Sequence, residues 1–576
     1  MTPTPAPAVV LEADLDETTP LLVSTRHEHP QDSNSPSERR SSRVNHRLWP
    51  YAAILCGALS LVADLGDGLT AAPEVRLLEM AVCRDYYHEH DPRLIGPPPL
   101  SYVREELCKR DEIQVELAYL RALKGLFAAV PGLFCTVLFG RLADHWGRKP
   151  ILLLGMTGQI LTYLWVIMIC YFHEVFPTRL IWASAVFQLM GGGHRNISAL
   201  MNTVIVDVAP ENARTSTFYL VGALIRITDM LSAGAGSYLL SHDLWLPFKI
   251  STPILLTSLP IILTLPETAP PRTPLPPRPR HDSLVPESPT KPHRPATTTT
   301  MTTTTSLLHS FPPPLLLTLL TITLKTFALM SAHTTLQFAS RALRIPLASA
   351  GYLLSLKALV SLLVLVLLPA AGAAATSRRG VAPVAVDVWV ARGSLAALAA
   401  GSLVVGAASA AAGAGAGHGA GAGALGLPLA LVVGGLVVGS AGNGITQTMR
   451  GLVAHFGKGW EGRRGRRNER GAGGGGGRDE GGDEGGPGGE GTGSRMGQLY
   501  AGVALLELIA VLTGEMAFAW LFALGIRLSS SEGDGGMRSG WESGWLGLPF
   551  YAAGVTFFLG LACAAKIPTM STTQGD

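Results

Sequence analysis

The chain has 576 residues, of which 47% are hydrophobic and 15% charged, and its formal net charge is only +3. So small a charge excludes nucleic-acid binding by bulk electrostatics. No cleavable signal peptide is visible, because the first 46 residues are polar and the first apolar run begins near Leu48. The distribution of apolar residues says more than their number: they gather into runs of about 20, the length a helix needs to cross ~30 Å of hydrocarbon.

In chain order, residues 1–47 read as a disordered tail. It holds "ETTPLL", Glu17 to Leu22, which fits the acidic dileucine pattern that sorting adaptors read on cytoplasmic tails. Twelve apolar spans follow, near 48–72, 117–139, 151–172, 178–207, 215–240, 244–265, 312–333, 347–369, 384–411, 426–448, 497–526 and 546–567. They read as helices, since a helix satisfies its own backbone hydrogen bonds in lipid, whereas a barrel would show short alternating segments. The first span carries Asp64 and Asp67, the second Arg121 and Lys124, the fourth Arg195 after "GGGH", and the fifth Arg226 and Asp229. The seventh carries Lys325 and His333, the eighth Lys357, and the eleventh Glu507 and Glu515. Ionisable groups at membrane depth cost several kcal/mol, so each is a functional hypothesis. Arg226 and Asp229, spaced i, i+3, also fit a local ion pair. Buried acids can carry protons, and Asp64, Asp67, Glu507 and Glu515 are the candidates.

The connections carry a second layer of information. Residues 73–116 are polar and contain Cys83 and Cys108, which either form a disulfide in an oxidising compartment or remain two free thiols. The other four cysteines lie in apolar runs and read as small packing residues. Residues 266–311 are rich in Pro and Thr, and 457–495 are rich in Gly; both read as disordered loops. The glycines lack a following GK[ST], which rules against a phosphate-cradling loop. Asn196-Ile-Ser198 is rejected as a glycosylation acceptor because it lies inside a span. Gly435 and Gly439 read as ordinary close helix packing. Basic residues gather at Arg39–Arg47, Arg141–Lys149, Arg272–Arg294, Arg378–Arg379 and Arg463–Arg467, which puts those segments and both ends, including the tail 568–576, in the cytoplasm.

Between the second and third spans lies "GRLADHWGRKP", Gly140 to Pro150. It resembles the signature G-x-L-A-D-R-x-G-R-[KR] of the Major Facilitator Superfamily at Gly140, Leu142, Ala143, Asp144, Gly147, Arg148 and Lys149, with His145 departing from the usual Arg. The resemblance covers roughly 48–567. It implies an all-α membrane fold of twelve transmembrane helices in two six-helix bundles, 48–265 and 312–567, joined by the linker 266–311. It also implies that the turn is a conformational latch, with Asp144 meeting the other half and a basic residue pairing with Asp207 at the end of the fourth span. Asp144 is expected near a helix N-terminus, where the dipole favours an anion. Spans 1, 2, 4, 5, 7, 8, 10 and 11 should line a central cavity, with 3, 6, 9 and 12 outside. "ATSRRG", Ala375 to Gly380, is a worn second copy of the turn that lacks the acid. Two patterns of proton antiporters are absent: R-x-x-Q-G in the fourth span, where Phe187 takes the Arg position, and G-P-x-x-G-G in the fifth. The long outer loop with two cysteines resembles the layout of proton-coupled folate-carrier-like members, and the likeness extends to fungal members.

The expectation is therefore a multi-pass transporter that moves a small organic solute by alternating access, coupled to protons. It would sit in the plasma membrane or a vacuolar or endosomal membrane, and it is not expected to bind a metal or cofactor. No nucleophile–base constellation suggests an enzyme. The alternative is a nutrient receptor on a transporter fold that signals through its long cytoplasmic loops.

Overall fold

The computed structural model describes residues 36–97, 101–208, 211–267, 312–379, 382–416, 426–446, 448–453, 455–457, 492–531 and 542–568. The sorting motif Glu17–Leu22 and nearly all of the two low-complexity insertions lie outside the described residues. Two compact units divide the chain, Met1–Arg47 and Leu48–Asp576. In the first, the described residues from Pro36 on are helical.

Among the described residues every regular element is a helix. In order these are α1 (Pro36–His90), α2 (Asp111–Trp146), α3 (Arg148–Tyr171), α4 (Ala185–Gln188), α5 (Gly193–Val208), α6 (Glu211–His242), α7 (Leu246–Leu256) and α8 (Ser258–Thr264). After the linker come α9 (Pro313–Leu329), α10 (Thr335–Ala342), α11 (Leu347–Arg379), α12 (Pro383–Ala416), α13 (Gly426–Ala441), α14 (Thr492–Ser531) and α15 (Leu548–Ala565). Nine helices among the described residues are long and apolar enough to cross a membrane. Beside those nine, α2 and α6, at 36 and 32 residues, are about 54 and 48 Å long at 1.5 Å per residue.

Three sequence expectations need correction. The first helix does not stop near residue 72 but runs on to His90. Leu77, Leu78, Ala81 and Val82 are buried along it, and its charges are satisfied. Arg76 pairs with Glu79 at 2.9 Å and donates to the Val103 carbonyl at 3.0 Å. Glu79, only 1% exposed, also accepts from Lys109 at 2.8 Å and Gln114 at 2.7 Å. A helix can therefore pass through a polar stretch because the folded-back segment 101–114 supplies the partners. Cys83 and Cys108 are joined in a disulfide at that fold-back, with their Cα atoms 5.4 Å apart.

The fourth span is not one helix. A 3₁₀ turn (Thr178–Ser184) and the single turn of α4 end at Gly191, Gly192 and Gly193, with φ of +79°, +80° and +73°. Left-handed backbone costs other L-residues about 1–2 kcal/mol each, so three in a row select glycine. α5 then starts afresh. The seventh span is also interrupted, by a 3₁₀ turn at Met330–Thr334 between α9 and α10 with no left-handed residue in it.

The third correction concerns the charged turn. Asp144 lies in the last turn of α2, not at a helix N-terminus, and Gly140 is helical. Only Gly147 separates α2 from α3, at φ +101°.

The core forms four apolar clusters. Two draw only on residues 56–265 and one only on 315–567. The fourth joins Ala72, Val75 and Ala118 to Phe338, Leu347, Phe522 and Phe550. α6 packs on α11 and α2 on α14 across the same divide.

Candidate functional site

Two adjoining cavities lie between α1, α2, α3, α5, α6 and α7. The first, ≈ 250 Å³, is lined by Ser60, Asp64 and Asp67 from α1, Met156 and Gln159 from α3, His194 and Ile197 from α5, Arg226 from α6 and Leu255 from α7. The second, ≈ 230 Å³, is lined by Asp67, Thr70, Glu74, Lys124, Gln159, Thr162, Tyr163 and Phe248. Asp67 and Gln159 belong to both. The cavity walls include α3 and α7, from the third and sixth spans, which the family pattern placed outside. Packing explains this. Gly155 and Gly158 on α3 admit the broken fourth span: a Cβ on Gly191 would lie 2.3 Å from the Gly155 Cα, and one on Gly158 2.5 Å from the Phe187 carbonyl. That approach turns the next face of α3, with Met156 and Gln159, towards α1.

The polar walls are wired. Gln188 donates to Gln159 at 3.1 Å and to Thr162 at 3.3 Å, and Asn196 donates to the Gly191 carbonyl at 2.6 Å. The first pair joins α4 to α3, and the second ties α5 to the glycine break. Tyr163 is hydrogen-bonded to Ser251 of α7.

The charged residues fall into separate groups. Asp64, Asp67 and Arg226 share the first cavity. Arg226 is ion-paired with Asp229 at 2.8 Å, and Lys124 is paired with Glu74. Arg121 stands in the field of both Glu74 and Glu515. Glu515 meets His333 at 3.2 Å and lies so close to α2 that a Cβ on Gly125 would come within 1.8 Å of its Oε2. Lys325 and Glu507 are not brought to the cavities. Lys325 is 4% exposed, with one hydrogen bond among the described residues, 3.4 Å to Thr446. Lys357, on α11, lies in the field of Arg226. The side chain of Arg195 lies outside the described residues.

Sequence reading missed Glu74, Glu79 and Gln159. The first two sit in a stretch read as loop; the continuing apolar period of Leu77, Leu78, Ala81 and Val82 was the available signal. It also missed the acid at the charged turn. Glu267 accepts from the backbone N–H groups of Arg148 at 2.8 Å and Lys149 at 3.2 Å, so it occupies the α3 N-terminus. The Arg148 guanidinium donates to the Thr203 carbonyl on α5 at 3.1 Å, one turn before Asp207. The side chains of Asp144 and Asp207 lie outside the described residues.

At the opposite end, residues 105–114 are tied to 337–347. Lys109 donates to Ser340 at 2.8 Å, the Leu347 N–H to Glu105 at 2.7 Å, and Gln337 to the Gln114 carbonyl at 2.7 Å, while Arg341 pairs with Asp111.

Comparison with known proteins agrees with this architecture. A Major Facilitator Superfamily model matches residues 111–457, more than half of the chain. The chain is 33% identical over 215 residues to the MFS efflux pump atnC of Emericella nidulans, covering 37% of this chain and 42% of that one. It is 29% identical over 227 residues to the efflux pump ustT of Aspergillus flavus, covering 39% and 42%. The matched stretch thus spans less than half the length of either relative. Among solved structures, an auto-inhibited POT family peptide transporter superposes with a TM-score of 0.52 at 14% identity, covering 92% of this chain and 99% of that one. With its apolar helices, its signature turn and a family match over more than half of its length, the chain belongs to the Major Facilitator Superfamily and is a multi-pass membrane protein.

Proposed function

We propose that the chain carries a small organic solute out of the cytoplasm by alternating access, in exchange for protons, and that the cavity at Asp64 and Asp67 is the way station for both. The single observation that carries this reading is the ≈ 250 Å³ cavity among the long apolar helices with two carboxylates on one helix face. Hydrocarbon would expel such groups, so a water-filled path is their natural place. The outward direction rests on the two relatives named as efflux pumps.

In this reading the spans over 48–265 and 312–567 are the two moving halves. The turn Gly140–Pro150 with Asp207 is the latch on the cytoplasmic side, and Glu267 holds its shape. The remaining membrane charges, Arg121, Lys124, Arg195, Arg226, Asp229, Lys325, Lys357, Glu507 and Glu515, belong to the same path or set the electrostatics around it. The sorting motif at Glu17–Leu22 directs the protein to a vacuolar or endosomal membrane when an adaptor reads it, and otherwise it resides in the plasma membrane.

The test uses proteoliposomes loaded with a pH-sensitive dye and pooled sugars, amino acids, organic anions or xenobiotics, in an acid-outside gradient. Solute-dependent acidification of the lumen, lost in Asp64→Asn, is expected. Solute exit without any pH change would refute proton exchange. Absence of both, with solute binding retained, would favour the receptor reading.

A further inference from the structure

The first cavity has more to say about which solute enters it. Ser60, Asp64 and Asp67 stand at i, i+4 and i+7 on α1, so one helix face presents all three to the same space. Neither carboxylate has a hydrogen-bond or ion-pair partner among the described residues. The cations nearby are already engaged: Arg226 by Asp229 at 2.8 Å, and Lys124 by Glu74. His194 lines the same space.

Ser60 gives an independent sign. It is 5% exposed, and its hydroxyl makes no hydrogen bond among the described residues. Thr157, Thr162, Ser237 and Ser361, also on apolar helices, turn back to the carbonyl four residues earlier, whereas Thr326 and Ser355 share the unpartnered state of Ser60. Ser60 lines the first cavity, so its hydroxyl is open to a solute there. Opposite it, Met156, Ile197 and Leu255 offer an apolar wall.

We infer that the cavity takes an organic cation bearing an amine, with its ammonium between Asp64 and Asp67, a hydrogen bond to Ser60, and its hydrocarbon part against the apolar wall. The inference rests on the transport reading given above and names the substrate class within it. An ammonium between two carboxylates gains Coulomb attraction from both, and an amine and protons occupying the same two acids in turn would make the exchange obligatory.

The full chain in proteoliposomes decides this with three probes of one size and different charge: tyramine (cationic), tyrosol (neutral) and 4-hydroxyphenylacetate (anionic). Labelled tyramine should move at least tenfold faster than either analogue. In Asp64→Asn/Asp67→Asn the tyramine preference should collapse towards unity, and in Ser60→Ala the KM for tyramine should rise severalfold with kcat little changed. Thermal unfolding of each variant checks that it folds. A variant that does not fold is replaced by Asp64→Glu, for which the preference should persist with an altered KM. Faster movement of 4-hydroxyphenylacetate or tyrosol than of tyramine overturns the inference and leaves the transport reading standing. Movement of none of the three, nor of any pooled solute, by folded protein sinks both.

Discussion

Opening the Cys83–Cys108 bridge should lower the thermal stability of the protein by an amount the fold itself sets. The two cysteines are 25 residues apart. In the chain-entropy account, closing a loop of that length in the unfolded state contributes about 3.5 kcal/mol. For a cooperative unit of roughly 200 residues that corresponds to about 8 °C in unfolding temperature. The bridge also anchors the segment in which Lys109 joins Glu79 and Ser340, both at 2.8 Å, so its loss should loosen those contacts as well. The measurement is intrinsic-fluorescence unfolding of the purified full chain at one scan rate, since membrane proteins commonly unfold irreversibly. Wild type should lose several degrees in reductant. Cys83→Ser/Cys108→Ser should start at that lower value and not respond further. Cys56, Cys135 and Cys170 are buried single thiols, and reductant has nothing to open there. If mass spectrometry shows the bridge reduced and the unfolding temperature is unchanged, then 83–108 does not open in the cooperative transition and the reasoning fails.

Four further outcomes follow from the geometry. Gly191→Ala puts a Cβ 2.3 Å from the Gly155 Cα at φ +79°; left-handed strain of about 1–2 kcal/mol and overpacking of about 1–3 kcal/mol should abolish folding or sharply lower the unfolding temperature. Gly222→Ala, with nothing within 4 Å of the new Cβ, should be neutral or slightly stabilising. Glu267→Gln weakens the carboxylate cap on the α3 N-terminus by about 1 kcal/mol and should speed tryptic cleavage after Arg148 in inside-out vesicles; an unchanged rate would mean that the cap does not hold the turn. Lys325→Met removes a buried ammonium whose one hydrogen bond among the described residues is 3.4 Å long; the unfolding temperature should stay or rise, and a fall of more than about 5 °C, above the ~2–4 °C that 1 kcal/mol shifts a domain of this size, would show that the charge is better satisfied than its contacts indicate.

What the sequence made legible and what it concealed divide along a physical line. Apolar runs were readable because hydrocarbon thickness imposes a minimum length on every spanning helix. Charges such as Asp64, Asp67 and Arg226 stood out because such groups are rare at that depth. Their partners were not readable, because those partners come from other helices. Arg226 and Asp229, three residues apart, could be paired from the sequence. Lys124 could not be assigned to Glu74, which is 50 residues away. The extension of α1 was hidden for the same reason: the groups that satisfy Arg76 and Glu79 from outside the helix lie 27 to 35 residues further along. Glu267 escaped notice because its role is to meet two backbone N–H groups, which no residue pattern announces.

The glycine triplet joins these two kinds of information. In the sequence "GGGH" was only the context of Arg195, yet its conformation decides where the cavity lies. Three left-handed residues end one helix and start another in the middle of the fourth span, and α5 begins with His194 already in the cavity wall. A continuous helix would have no need of the close approach at Gly155 and Gly158, and α3 would keep its distance. With the break, α3 brings Gln159 into the cavity wall beside Asp67. The positions of the two carboxylates on α1 and of the triplet on the fourth span are therefore linked. Moving the break by one residue would rotate His194 by about 100° around the α5 axis and open that wall, so a single inserted alanine after Gly193 should abolish transport even in protein that still folds.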